Sequence, residues 1–125
     1  MKSIRVIRTS RKQRRISAVM RPISEVRVPA VRAVISELID RADLRQGMPN
    51  LHEAASRIQQ VSRYIGRRSN VQFTSCKRSQ IEIQRRRHEE PLRIGVLWFS
   101  IRVWTGGHWQ IMQVIGTLED ARKIQ

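Results

Sequence analysis

Two adjacent glycines constrain this chain more than any other feature of its sequence. Gly106 and Gly107, after Thr105, separate two β-prone runs, residues 92–104 and 108–115. A Gly-Gly pair supplies the positive φ that a two-residue hairpin turn demands, and a turn of that length fixes the register of both strands. It pairs Trp104 with Trp109, Arg102 with Ile111, Ser100 with Gln113 and Trp98 with Ile115 on one face. The other face receives Leu97, Phe99, Ile101, Val103, Met112 and Val114, a continuous apolar set that must be core. All three tryptophans therefore share the opposite face with Arg102.

Upstream, the apolar period is helical. Val31, Val34, Ile35, Leu38, Ile39 and Ala42 recur as one face of a helix over Pro29 to Leu44. Pro29 suits its first turn, and Gly47 with Pro49 predicts its end soon after Leu44. Asn50 reads as the N-cap of a second helix with Leu51, Ala54, Ala55, Ile58, Val61 and Ile65 on one stripe, and Gly66 as its C-terminal cap. After Gly66 the period falls to two, with Val71 and Phe73, then Ile81 and Ile83, as two short strands joined by a turn at Cys76–Gln80. Residues 85–91 read as an exposed connection. Thr117 to Asp120 resembles a capping box that opens a short helix with Ala121 and Ile124 inward. The expected fold is α+β: a helical hairpin (29–66) packed on a small antiparallel sheet with a C-terminal β-hairpin and short helix (67–125), preceded by a basic arm (1–28).

Charge gives the partner class. The 125 residues hold 25 Lys and Arg against 10 Asp and Glu, a formal net charge of +15, with 21 of the cations arginine. Self-repulsion on that scale disfavours a compact body unless a polyanion neutralises it, and the planar guanidinium grips phosphate and guanine edges in pairs of hydrogen bonds. The excess is concentrated at residues 1–28, net +8, and 67–93, net +5, while 29–66 and 94–125 each carry +1. Arg5, Arg8, Arg11, Lys12, Arg14 and Arg15 in the arm, and Arg67, Arg68, Arg85, Arg86 and Arg87, are the expected phosphate contacts, with Lys77 and Arg78 beside them. The first segment also has the composition of a mitochondrial presequence; otherwise an intracellular place, cytoplasmic or nucleoid-associated, is expected.

The Trp98, Trp104, Trp109 and Arg102 face is the candidate for specificity. Aromatic rings beside a guanidinium on an open sheet stack bases. The alternative is a helix covering this face, which Ile111 and Ile115 favour. A helix-turn-helix would use Ser56, Arg57, Gln59, Gln60 and Arg63, but the connection Arg45–Asn50 exceeds the usual short turn, which favours a plain helical hairpin.

Other chemistry finds little support. Cys76 is the only cysteine, so there is no disulfide framework and no four-cysteine zinc site. His52, His88 and His108 lack zinc spacing, and no phosphate-binding loop, dinucleotide fingerprint or serine elbow occurs; no catalytic residue, metal or cofactor is assigned. The longest apolar run, Leu92 to Trp104, contains Arg93 and Arg102 and is too short for a membrane helix. A metal-independent ribonuclease would draw on Arg102, His108, Tyr64 and Arg63 for phosphate stabilisation and proton transfer.

Residues 98–124, WFSIRVWTGGHWQIMQVIGTLEDARKI, resemble the DNA-binding domain of plant ethylene-response factors and some phage integrases. There a sheet reads the major groove with Arg and Trp side chains, a role the resemblance would give to Arg102, Trp98 and Trp104. Only one Arg stands on this hairpin's outer face, a departure from that pattern. The basic composition and paired helices preceding a sheet also resemble RelE-type toxins, which cleave messenger RNA on the ribosome; Met1–Ile7 would then be a first strand. The expected function is binding of DNA or RNA, with a protein assembly or homo-oligomer as a further partner. The alternatives are a RelE-like ribonuclease and a basic structural component of a ribosomal or viral particle.

Overall fold

The computed structural model describes residues 6–8, 20–47, 49–65, 67–68, 70–84 and 89–125, with 6–8 and 67–68 described by their backbone. In chain order they form β1 (Val6–Arg8), β2 (Met20–Pro22), a 3-10 turn (Ile23–Glu25), α1 (Pro29–Arg41), α2 (Leu51–Ile65), β3 (Arg67–Arg68), β4 (Val71–Ile83), β5 (Leu92–Thr105), β6 (His108–Gly116) and α3 (Leu118–Lys123). The class is α+β, with the helical hairpin on one face of the sheet.

The strands run β1-β4-β5-β6-β2, and β3 pairs with β4 at the end opposite β1. The sheet is mixed, not antiparallel throughout, because β2 lies parallel to β6. The segment 1–28, expected as an arm, thus supplies strands to both edges of the sheet, and its Ile23 and Val26 are core. Three-residue strands carry no periodic signal, and their pairing is set by distant partners.

The central hairpin follows its turn. Gly106 and Gly107 take φ of 58° and 88°, Thr105 faces His108, and each pairing expected from the register is present. Leu97, Phe99, Ile101 and Val114 are fully buried against the helices. Losing a side chain such as Phe99 from this layer would cost about 3–5 kcal/mol.

One long strand stands where two short ones were expected. β4 pairs with β5 from Val71 to Ile83, so Cys76–Gln80 is strand and not turn. A bulge between Phe73 and Ser75 shifts the alternation, so that Val71, Phe73 and Cys76 face the helices while Ile81 belongs to a cluster on the far side. Lys77, Arg78, Ser79 and Gln80 between these groups are polar on both faces, which gives the sequence its turn-like look. No Gly or Pro interrupts the run, and β5 offers partners along all of it.

The helices end as their caps require. α1 stops at Arg41, before the expected Leu44, because Asp43 adopts φ of 59°. Its N–H donates to the Asp40 carbonyl and that of Leu44 to the Ile39 carbonyl, a Schellman closure sealed by buried Leu44 and Ile39. Asn50 Oδ1 accepts from the Glu53 N–H at 2.7 Å and caps α2. Gly66, the expected cap at the other end, lies outside the described residues. Thr117 and Asp120 form the reciprocal capping box of α3, with Ala121 and Ile124 buried. Gly116 is required by packing, since a Cβ there would collide with Ile23. Among the described residues no helix is long and apolar enough to cross a membrane.

Candidate nucleic-acid interface

With α1 and α2 on one face, the tryptophans lie on the other, and that face divides in two. At the end remote from the turn, Ile81, Val96, Trp98 and Ile115 are buried together with Met20, Ile83 and Ile94 packed against them. Trp98, expected among the stacking rings, is only 8% exposed and is a packing residue. Its indole N–H donates to Gln113 Oε1, and Gln113 Nε2 donates to Ser100 Oγ at 3.3 Å. Gln113 is buried, and these bonds satisfy both ends of its amide.

Beyond this polar seam the face is open. Trp104 is 41% exposed and Ile111 43%, while Arg102 and Trp109 are half-buried. The Trp104 and Trp109 rings meet edge to face, 5.3 Å between centroids at 69°, the arrangement favoured by the aromatic quadrupole. The Arg102 guanidinium carbon lies 5.4 Å from the Trp109 centroid, a cation–π contact. No carboxylate among the described residues pairs with Arg102. The only acid in the sequence of β4, β5 and β6 is Glu82, near the remote end, bonded to Arg93.

The arginines of the helical side are used differently. Arg45 donates to Asp40, to Ser36 Oγ at 2.8 Å and to the Arg122 and Ile124 carbonyls; Arg122 donates to the Leu44 and Gly47 carbonyls, each at 2.6 Å. The two clasp α3 to the connection between α1 and α2. Arg32 donates to the Val26 carbonyl, and Arg41 and Arg57 pair with Glu37 and Glu53 one helical turn away. A count of arginines therefore overstates the charge directed at a partner.

The other expected site residues fall into three groups. Arg5, Arg11, Lys12, Arg14, Arg15, Arg85, Arg86 and Arg87 lie outside the described residues. Arg8 belongs to β1 at one end of β4, and Arg67 and Arg68 to β3 at the other, with Arg67 opposite Gln72. Lys77 and Arg78 are exposed on β4. Gln72, absent from the sequence reading, lies between Arg102 and Arg67 in register; only the continuity of β4 reveals it.

The ribonuclease set is not brought together, whereas Ser56, Gln60 and Arg63 of the reader-helix set are exposed on α2 and Arg57 pairs with Glu53. Gln59 Oε1 accepts from the Cys76 N–H at 2.6 Å, beside the bulge, and the apolar stripe of α2 packs in the main core. His108 pairs with Thr105, so strand alternation puts it on the opposite face of the hairpin from Arg102, with its ring 3.2 Å from the Gln110 amide. Tyr64 and Arg63 are exposed on α2. Burial pushes the Cys76 thiol up to about 12 although a Trp98 backbone hydrogen bond acts the other way, so this sulfur is no nucleophile near neutral pH. Among the described residues no three His, Cys, Asp or Glu side chains gather as metal ligands.

Comparison with protein-family models, with curated proteins and with solved structures gives no match.

Proposed function

We propose that this protein binds nucleic acid through the open end of the sheet face, with the Arg-rich segments adding phosphate contacts. The observation that carries the reading is the Arg102–Trp109–Trp104 cluster, accessible at the end of the sheet remote from Glu82, the one acid in the sequence of β4, β5 and β6. A guanidinium held over an indole keeps its donors for an anion while its plane is fixed, and a phosphodiester supplies the anion beside a base that the rings can accept. The net charge of +15 supports the same partner class through long-range attraction.

The test is fluorescence anisotropy of labelled oligonucleotides with the full chain across a salt series. The logarithm of affinity falls linearly with the logarithm of salt concentration, and Arg102→Ala weakens binding and flattens the slope by about 0.7–0.9. Lys123→Ala removes an equal charge from the helical side, where Lys123 pairs with Glu119, and has the smaller effect. Absence of binding at low salt, or equal effects of the two substitutions, would refute the assignment to this face.

A further inference from the structure

We infer that the occupant of this face is an unpaired strand, which crosses β6, β5, β4 and β3 along one row of the sheet; this rests on the nucleic-acid reading above. The register sets Ile111 on β6 opposite Arg102 on β5, Arg102 opposite Gln72 on β4, and Gln72 opposite Arg67 on β3. Neighbouring strands lie about 4.8 Å apart, so the cationic positions 102 and 67 stand roughly 10 Å apart with an amide residue between them. Beside the Arg102 end of this row sits the Trp104–Trp109 pair.

Three features select an unpaired strand over a duplex. First, the exposed ring surface of Trp104 gains most from a base face, and in a duplex base faces are covered by their neighbours. Second, Trp104 is held in place before any ligand arrives. Its backbone N–H donates to the Asn70 carbonyl at 2.8 Å, and its ring is braced by Trp109. Third, the row sets two cationic positions, 102 and 67, on either side of the amide residue Gln72 along a line, as a single phosphodiester backbone with splayed bases requires. These contacts address bases and phosphates, so the sugar is immaterial.

The experiment uses the full chain with labelled oligonucleotides of about 12 residues, within the usual site size, as unpaired DNA, unpaired RNA of the same sequence, and a DNA duplex. Both unpaired strands should bind at least about fivefold more tightly than the duplex, the gain expected of one stacked base, and within about twofold of each other. Trp104→Ala should abolish the preference by weakening unpaired-strand binding more than duplex binding, and Trp104→Phe should retain most of it. Arg67→Gln should weaken unpaired-strand binding more than Lys123→Ala does. Equal affinity for duplex and unpaired strand, or equal loss for both in Trp104→Ala, overturns the inference while the nucleic-acid reading stands. Failure to bind any of the three overturns both.

Discussion

Trp98 and Trp104 stand six residues apart on the same face of one strand, and their surroundings assign them opposite tasks. Trp98 is sealed among Val96, Ile81 and Ile115 with its N–H taken up by Gln113. Trp104 has no such apolar enclosure; it leans edge-on against Trp109 and shows two-fifths of its surface. Strand alternation tells which face a residue takes, and burial depends on what else reaches that face. The buried end holds the sheet together, and the open end is the one we propose for the partner.

Substitutions should separate the two ends, beginning with the largest effect. Trp98→Ala should cost about 3–5 kcal/mol in urea unfolding, by loss of apolar contact and the cavity left behind. A loss under 1 kcal/mol would place Trp98 with the open end. Gln113→Leu deletes the seam and leaves the buried indole N–H without an acceptor, at about 1–3 kcal/mol on the same measurement. Stability equal to the parent would mean the amide is not needed to divide the face. Trp104→Ala should cost no more than about 1 kcal/mol, mostly the edge-to-face contact, while weakening binding to unpaired strands. A loss as large as that of Trp98→Ala would erase the distinction.

A pH-dependent effect, small near neutral pH, probes the helical side. Cys76 lies buried on the face opposite Trp98, and its thiol ionises only at about 12 against an ordinary 9.0. Above pH 9 the unfolded chain gives up this proton while the folded chain keeps it, so stability falls as pH rises towards 12; below 9 this contribution is constant. Urea midpoints across that range should fall less in Cys76→Ala than in the parent. Parallel curves would show that the sulfur is not desolvated.

The hairpin was legible because a two-residue glycine turn leaves one register, and that register already united Arg102, Trp104 and Trp109. Both helices were legible from their stripes, and α2 and α3 from the caps Asn50 and Thr117. Less visible was whatever depends on distant partners. Met20–Pro22 is too short to alternate, and its Pro suits an edge strand once β6 is known to lie beside it. β4 looked like two strands because its apolar residues change faces midway. Asp43 ended α1 from a left-handed conformation that glycine adopts more readily, so the expected signal at Gly47 came too late. The charge reading carries an expectation about the partner class, yet a count of cations does not show that Arg45 and Arg122 serve the fold.

The indole N–H resonances of the three tryptophans offer the most direct test of a divided face. Titrating isotope-labelled protein with an unpaired oligonucleotide at moderate salt should shift and broaden the Trp104 and Trp109 signals, and leave the Trp98 signal, bonded to Gln113, in place. If all three stay fixed while the oligonucleotide binds, or if Trp98 moves and Trp104 does not, the open end of the sheet is not the binding site.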